Sequence, residues 1–402
     1  MLDDVEGAKA FEAGAARHIS GITARGNRLT IELTAPAPDL FARLAMPFFC
    51  AVPMNTPVAP GVQVVPSAGP YYVKSFVPGQ TIVLARNPNY HGPRPHNIAE
   101  IDISLGESRA HTVAQIESGG IDYSLDGVPY ASAQRLDVRY GPRSAAARSG
   151  KQQYFVSPTL QNFYLALNTS RAPFSNLKLR EAVNYLIDRR SLASLLTRFG
   201  IPASANDQYL PPAMPGFRDA AVYPLGGDAR TAQRLAGRAR LKAVLYSCTG
   251  CQDADQILQI YLARLGIDVE VKRFPFGPLT AKVGRRGEPF DLALAAWSAE
   301  YLDPAAYLNV LLSGKQLRPT KNFNISYFNS PMYNRKLDAA AQLTGRQRYA
   351  AYGKLDIDLA RNEAPMVALV NLTRQDFFSA RIGCQVYNAL YGMDIAALCI
   401  RR

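Results

Sequence analysis

The stretch that decides the fold is LKAVLYSCTGCQDADQILQIYLARLGIDVEVKRFPFGPLTAKVGRRGEPFDLALAAWS, residues 241–298. Apolar and β-branched runs in it predict three strands, whereas apolar residues at helical spacing predict the segments between them as helices. The strands are predicted at 241–247, 267–274 and 290–297, and the helices at 253–266 and 278–286. This β-α-β-α-β order predicts an α/β fold whose parallel sheet is covered on both faces.

The last predicted strand runs into AAWSAEYLDPAAYL, residues 295–308, which holds the only tryptophan of the chain, Trp297. Ligands of open α/β sheets bind outside the carboxyl ends of the strands, so this position favours a pocket. Tryptophan offers a broad apolar face, and the carboxylate of Glu300 would attract a cation. The residues alone leave a second interpretation open, in which Trp297 is core, Glu300 faces solvent and Asp303-Pro304 begins the next helix.

Further elements are predicted on both sides of this region. Residues 22–34 and 66–90 indicate hairpins with turns at Gly26-Asn27 and Pro78-Gly79. Helices are predicted at 38–46, 108–118, 175–199, 331–342 and 346–361, and strands at 121–125, at 154–167 and in APMVALVNL, 364–372. The helix at 175–199 has the strongest pattern and a stop at Gly200.

The charge of the chain is strongly positive, because 45 Lys and Arg residues face 32 Asp and Glu residues, a difference of +13. An anionic partner such as nucleic acid is one explanation for such a charge. The basic residues are scattered rather than blocked, which favours a solubilising surface instead. The composition, 48% apolar and 19% charged, is that of a globular protein, and no apolar run is long enough to cross a bilayer.

The motifs of common catalytic and metal sites are absent from the sequence. Only four histidines occur, and His91 and His96 enclose GPRP with no cysteine pair beside them. There is no H-E-x-x-H, no G-x-S-x-G elbow and no P-loop. The sequence therefore predicts no metal, no cofactor and no enzyme.

Five cysteines are present, and two of them form a C-x-x-C, Cys248-Thr-Gly-Cys251. Such a pair is redox-active, half of a metal site, a local disulfide or two surface thiols, and the last two interpretations are favoured here. Cys384 and Cys399 are candidates for a second disulfide that would fix the C-terminal segment. Cys50 would then be unpaired, with a buried side chain expected. This pattern is typical of an oxidising compartment.

Four ordered stretches carry a resemblance to a known family. They are SAGPYYVKSFVPGQTIVLARNPNYHG (67–92), SGGIDYSLDGVP (118–129), NFYLALNTSRAPFSNLKLREAVNYLIDRRSL (162–192) and FDLALAAWSAEYLDPAAYL (290–308). With these motifs the chain resembles the family 5 extracellular solute-binding proteins of ABC transporters, the oligopeptide- and dipeptide-binding group. The resemblance extends over essentially the whole sequence in the family's order.

The resemblance implies a two-lobed, type II periplasmic-binding-protein fold that closes on its ligand about hinge strands. Residues 1–60 would be a remnant of the family's extra subdomain, 61–167 with 371–402 an incomplete lobe I, and 168–370 lobe II. Asn168 and Val370 would lie at the hinges. Family members begin with a signal sequence and further strands that this sequence lacks, so the chain is expected to be truncated at its N-terminus.

The resemblance also implies a site and a function. The family's peptide-binding members have an aspartate at the position of Glu300, where it accepts the α-ammonium of the peptide. Trp297, Ser298, Tyr301, Asp126, Gly127 and Arg285 would contact the ligand. The implied protein is a periplasmic or extracellular, membrane-associated monomer that delivers a peptide to ABC permease subunits and binds no nucleic acid. Glutamate in place of aspartate leaves open another solute, an oligosaccharide, opine or metal chelate, or a non-functional paralogue.

Overall fold

The computed structural model describes residues 2–56, 64–237 and 240–401. Its helices are α1 (Ala8–Glu12), α2 (Leu40–Leu44), α3 (Arg109–Ser118), α4 (Tyr130–Tyr140), α5 (Ala145–Arg148), α6 (Leu177–Leu186), α7 (Arg189–Arg198), α8 (Ala229–Ala236), α9 (Gln252–Ala263), α10 (Phe276–Val283), α11 (Ala305–Leu312), α12 (Pro331–Gln342) and α13 (Gly345–Asn362). Its strands are β1 (Ile22–Arg25), β2 (Arg28–Ile31), β3 (Tyr71–Val77), β4 (Thr81–Arg86), β5 (Glu100–Ser104), β6 (Tyr154–Leu167), β7 (Ala203–Ala205), β8 (Leu241–Cys248), β9 (Ile267–Phe274), β10 (Leu292–Ser298), β11 (Met366–Phe377), β12 (Ile382–Gly383), β13 (Tyr387–Asn388), β14 (Gly392–Met393) and β15 (Cys399–Ile400).

Lobe II is built on a six-stranded sheet in the order β7-β11-β6-β10-β8-β9. The neighbours β10, β8 and β9 are parallel, which confirms the order predicted from residues 241–298. The long strand β6 runs antiparallel to both of its neighbours. One apolar core lies between one face of the sheet and α6 to α9, and a second lies between the other face and α10 to α13. The sheet is therefore mixed rather than fully parallel, and both of its faces are covered, as its parallel half requires.

Two strands, β6 and β11, pass from lobe II into lobe I. Leu165 and Val367 are register partners in the core of lobe II, whereas Tyr154 and Phe377 are partners in the core of lobe I. Lobe I adds α3, α4 and the antiparallel sheet β3-β4-β5. A boundary after residue 167 would assign to lobe I the end of β6, although residues 164–167 pack in lobe II. Because the apolar run of β6 is continuous, the sequence does not reveal the residue at which the strand passes from one lobe to the other.

The predicted helix at 175–199 is in fact two helices, α6 and α7. Ile187 between them is extended and fully buried, and the side chain of Asp188 caps α7 by accepting a hydrogen bond from Ser191 N. Asp at the first position of a helix competes with continuation of the preceding one. The predicted strand at 121–125 was also wrong, because only the isolated bridge between Tyr123 and Phe378 forms there.

The N-terminal segment packs on lobe II. Met46 is buried in the core that also contains α11 and α13. Arg43 donates to both carboxylate oxygens of Asp4, at 2.9 and 2.6 Å, and to Asp39 at 3.1 Å. These contacts join the start of the chain to α2. The predicted connection at 53–66 lies partly outside the described residues, since 57–63 are not among them.

Two disulfides are present, Cys248–Cys251 and Cys384–Cys399. The second joins β15 to the residue that follows β12, which fixes the C-terminal segment against lobe I. Cys50 is the free cysteine, and its side chain is exposed rather than buried as expected. Cys50 follows the 3-10 turn at Pro47–Phe49 with an extended backbone, and it belongs to none of the apolar cores, whereas Phe49 before it packs on the lobe II core.

A buried carboxylate attaches the linker before α8 to α13. Asp356 Oδ1 accepts hydrogen bonds from Tyr209 N at 2.9 Å and Leu210 N at 3.2 Å, and Oδ2 accepts one from Gln208 Nε2 at 3.0 Å. Burial raises the pKa of Asp356 to about 7, against the opposing effect of these donors. Between about pH 4 and pH 7 the Asp356 carboxyl is thus protonated in the folded protein, whereas in the unfolded chain, with a pKa of about 3.9, it is ionised.

We expect Asp356 to make stability pH-dependent. Because its pKa is higher in the folded state, its contribution is complete below about pH 4 and is lost as the pH rises through about 7. Relative to Asp356→Asn, the free energy of unfolding of the native sequence should fall by up to about 4 kcal/mol over that range. Urea denaturation at several pH values measures this, with Asp102→Asn on exposed β5 as the control. Parallel pH curves for the native protein and Asp356→Asn would contradict the prediction.

Candidate functional site

The carboxyl end of β10 presents Trp297 at the middle of the lobe II sheet. Trp297 pairs with Asn162 of β6, and its indole Nε1 donates to Ala306 O at 2.8 Å. Its ring meets the exposed ring of Phe323 edge-on, with centroids 5.2 Å apart. The side chain is half-buried and packs on the core of lobe II. Trp297 therefore belongs to the core and also offers part of an aromatic surface to solvent.

Glu300 differs from its neighbours in being free. Ala299 is buried and its N–H donates to Leu160 O at 3.1 Å, and Tyr301 is buried as well. Between them the side chain of Glu300 is exposed, and it forms no hydrogen bond or ion pair with any residue that the structure describes. The backbone is thus fixed on both sides of a carboxylate that has no partner of its own.

Tyr301 has a structural contact. Its hydroxyl donates to Asp39 Oδ2 at 3.1 Å, which connects the loop after β10 to the N-terminal segment. Burial, with the nearby charge of Asp39, raises the pKa of Tyr301 well above its usual value. The hydroxyl is therefore a neutral donor already in use, and it is not presented to a ligand.

Asp303 fixes the far end of the same loop. Arg348 of α13 donates to it from Nε and from Nη2, each at 2.8 Å, and both side chains are buried. Asp303 also accepts a hydrogen bond from Ala305 N, in the first turn of α11. The pair holds the loop between β10 and α11 on α13. The sequence showed Asp303 but gave no sign of its partner 45 residues later.

A second part of the candidate site lies where β6 and β11 cross between the lobes. A cavity of about 220 Å³ opens there. Its lining includes Arg109, Asp126, Gly127, Gln161, Thr373 and Arg374. The pairing of the two strands is irregular at this place, because Leu372 alone stands opposite residues 159–161.

Arg374 organises the lobe I side of this cavity. Its guanidinium donates to Asp376 Oδ1 at 2.8 Å, to Tyr123 Oη at 3.0 Å and to Leu125 O at 2.7 Å. Gly127 packs on the same strand. Its φ is +76°, and a Cβ atom at this position would lie 3.2 Å from Gln375 O, so glycine is favoured here. The loop that carries Asp126 is therefore held on β11, and Asp126 itself is exposed.

The structure brings some of the predicted ligand residues together and not others. Asp126 and Gly127 line the cavity, and Ser298 is exposed opposite Gln161, which also lines it. Side chains alternate along a strand, so Trp297 projects from the other face of β10. Arg285 follows α10 and lies at the amino end of β10, about 20 Å of strand away from the carboxyl end.

The sequence did not identify Arg109, Gln161 or Arg374 as residues of the cavity. Polar residues in the otherwise apolar strand β11 were the available signal for Arg374. The predicted hinge residues both lie on the lobe II side of the crossing. Asn168 follows β6 and donates from Nδ2 to Phe290 O at 2.9 Å, and Val370 is fully buried opposite Phe163.

Comparison with known proteins identifies the family. The model of the bacterial extracellular solute-binding proteins, family 5 Middle, matches residues 5–318. The chain belongs to this family. The periplasmic oligopeptide-binding protein OppA of Salmonella typhimurium is 24% identical over 363 residues, which are 85% of this chain and 63% of that protein. The family 5 chain thus spans less than two thirds of the length of this relative.

Solved structures show the same fold. A clavulanic acid biosynthesis oligopeptide-binding protein 2 superposes with a TM-score of 0.82 at 20% identity, over 100% of this chain and 76% of that one. The unliganded open form of MppA, a periplasmic murein tripeptide-binding protein, gives 0.76 at 21% identity, over 99% of this chain and 77% of that one. The two-lobed periplasmic-binding-protein fold expected from the sequence is confirmed.

No helix in the described parts of this family 5 protein is both long and apolar enough to cross a membrane. The described residues also contain no group of three or more His, Cys, Asp or Glu side chains placed to hold a metal ion. The matched family and the relatives consist of binding proteins.

We expect the loop after β10 to depend on the Arg348–Asp303 pair. Arg348→Met leaves the Asp303 carboxylate buried without its partner, which should lower the free energy of unfolding by about 3–5 kcal/mol. The double variant Arg348→Met with Asp303→Asn removes the unpaired charge and should recover part of that loss. Thermal and urea denaturation measure both. Lys315→Ala, which breaks the exposed pair with Asp338, is the control and should cost less than about 1 kcal/mol. A single-variant loss as small as the control's would contradict the role of the pair.

Proposed function

We propose that this protein is the substrate-binding component of an ABC importer, which binds a peptide or similar small solute between its lobes and delivers it to a membrane permease. The observation that carries the proposal is the exposed carboxylate of Glu300, which has no partner among the described residues and lies three residues after Trp297, past the carboxyl end of β10. Relatives of the chain are named as an oligopeptide-binding protein, a probable D,D-dipeptide-binding protein and a glutathione-binding protein, which supports a peptide as the solute.

Glu300 is suited to the ammonium group of a peptide. A carboxylate with unused acceptor positions forms charge-assisted hydrogen bonds to an ammonium, which are stronger than neutral ones. The exposed ring of Phe323 and the half-buried ring of Trp297 provide apolar surface at this strand end. Such a surface also attracts a cation through the ring faces. Ser298 is exposed and adds a hydroxyl at the same strand end.

Closure of the lobes would complete the site. The cavity at the β6–β11 crossing contains Asp126 and Gly127 from lobe I together with Gln161 from lobe II. The irregular pairing opposite Leu372 and the exposed Pro158, which lacks a backbone N–H, weaken the ladder at this point. We place the hinge in this part of the two strands, which begins next to the predicted residue Val370, whereas the predicted residue Asn168 follows the lobe II end of β6.

The remaining parts of the proposal concern the setting of the protein. A periplasmic or extracellular location agrees with two disulfides and with the names of the relatives. The permease is the membrane partner, and the protein acts as a monomer, without turnover of its ligand and without nucleic acid. The scattered positive charge then serves solubility rather than DNA binding.

We expect Glu300→Gln to weaken the binding of free-amine peptides by about 10- to 100-fold, since a charged hydrogen-bond partner is worth about 1.5–3 kcal/mol. Binding of the same peptides after N-acetylation should change little. Isothermal titration with matched peptide pairs measures the difference. Asp268→Asn, at the exposed amino end of β9, is a control with the same loss of charge far from Trp297. Equal losses for free and acetylated peptides would refute the ammonium role.

A thermal-shift screen decides between the candidate solutes. A ligand that binds only the folded state raises the midpoint of unfolding. We expect peptides to do so, whereas a shift produced only by oligosaccharides, opines or metal chelates would transfer the site to that solute class. The Trp297–Phe323 pair, half-buried at Trp297 and exposed at Phe323, also suits a sugar ring.

A further inference from the structure

The C-x-x-C occupies a particular junction of the fold. Cys248 is the last residue of β8, and Cys251 is the residue directly before α9, which is 12 residues long. The next strand, β9, lies parallel to β8, so the disulfide sits at the first turn of a β-α-β unit. Both cysteines are half-buried, and Thr249 and Gly250 between them are exposed. An incoming sulfur atom can therefore approach the bond from solvent.

We propose that Cys248–Cys251 is a thiol–disulfide exchange site, which accepts two electrons from thiol-containing reductants, either low-molecular-weight thiols or the dithiol of a partner protein. This activity is independent of the proposed solute binding. The bond is formed by residues three apart, so its reduction releases no long loop and leaves β8 and α9 in their hydrogen-bonded positions.

The position of Cys251 favours its departure as a thiolate. It is the N-cap residue of α9, yet its side chain accepts no hydrogen bond from the first turn of the helix. A thiolate at this position can accept hydrogen bonds from the free N–H groups of that turn, and the helix dipole stabilises its charge. Asp253 and Asp255 in the first turn oppose this effect, but Asp253 is exposed to solvent and the buried Asp255 is paired with Arg273.

Two buried polar residues close to the cysteines in the chain, Ser247 and Asp255, are a second observation. Asp255 is fully buried one turn into α9, and its Oδ2 accepts a hydrogen bond from Arg273 Nε at 2.7 Å. Asp255 Oδ1 has no hydrogen-bond partner among the described residues, and neither has the hydroxyl of the buried Ser247. Ser247 precedes Cys248 and is the register partner of Arg273. Unpaired buried polar atoms are costly, and these two belong to the residue before Cys248 in β8 and to a residue in the first turn of α9 after Cys251.

The exchange proceeds in two steps. A thiolate attacks Cys248 Sγ, the Cys248–Cys251 bond breaks, and Cys251 leaves as a thiolate while a mixed disulfide forms on Cys248. A second thiolate then attacks the incoming sulfur, which releases the oxidised reductant as a disulfide and Cys248 as a thiolate. Both protein thiolates take up the protons that the two thiols gave up. The better-stabilised thiolate is the faster leaving group, which assigns that role to Cys251.

The other disulfide lacks these features. Cys384 and Cys399 are 15 residues apart and join the antiparallel pair β12–β15, and neither cysteine adjoins a helix. Closing this loop restricts the unfolded chain and holds the C-terminal segment in lobe I. It serves as an internal reference for a bond with a structural role.

The experiment compares the two disulfides in one molecule. The Cys50→Ser variant removes the exposed free thiol, which would otherwise react itself. The oxidised protein is incubated either with glutathione or with a thioredoxin-type dithiol protein, quenched by alkylation and analysed by mass spectrometry of its peptides. We expect Cys248–Cys251 to be reduced at least about tenfold faster than Cys384–Cys399. Reduction by glutathione identifies small thiols as partners, and reduction by the dithiol protein alone identifies a protein. No reduction by either reagent, or equal rates for the two disulfides, overturns the proposal.

The leaving-group assignment has its own test. In Cys248→Ser the thiol of Cys251 remains at the N-cap of α9, whereas in Cys251→Ser the thiol of Cys248 remains at the end of β8. At pH 7 we expect Cys251 to react with iodoacetamide about tenfold faster than Cys248. Equal rates, or a faster Cys248, contradict the assignment. Peptide binding is measured separately on the oxidised protein, so failure of either proposal is recognised without the other.

Discussion

The antiparallel ladder between β6 and β11 is the constraint on which both lobes depend. Its two ends lie in different apolar cores, so each core fixes the register of the strands for the other. A shift by one residue would turn every side chain of a strand to the opposite face and expose both cores at once. The ladder is irregular between Ala368 and Val370 and again at the crossing, where Pro158 offers no N–H and Leu372 faces three residues of β6. The register is therefore rigid at the ends and permissive in the middle.

Residues 297–303, at the end of β10 and in the loop after it, include side chains with fixed partners and side chains without them. Three side chains each have a specific partner. The indole of Trp297 donates to Ala306 O, the hydroxyl of Tyr301 donates to Asp39, and the carboxylate of Asp303 accepts from Arg348. Ser298 and Glu300 between them are exposed. Most of this motif thus serves to place the backbone, and the proposed contact with the ligand depends on one carboxylate. The two interpretations of the sequence, core packing and a pocket, apply to neighbouring residues of the same loop.

The sequence predicted those features that depend on local pattern. Periodicity and turn residues were enough for the parallel strands β8, β9 and β10 and for the hairpin β3–β4. Predictions were wrong where a single side chain changes the local balance, as Asp188 does by starting α7. Burial of Cys50 was wrong because an unpaired cysteine carries no signal of its surroundings. The sequence could not predict that Arg348 pairs with Asp303 or that Arg374 holds the loop of Asp126, because these contacts join residues far apart in the chain and produce no sequence pattern.

The attachment of the N-terminal segment determines how the molecule would move. The hydrogen bond from Tyr301 to Asp39, the burial of Met46 in the lobe II core and the packing of Phe49 against that core attach residues 39–49 to lobe II. Cys50 follows directly, with an accessible sulfur that no disulfide uses. Cys50 is therefore a single site for thiol-specific labelling on the lobe II side of the molecule. A fluorophore there, paired with one on the exposed surface of α4, would serve as a spectroscopic ruler for the angle between the lobes.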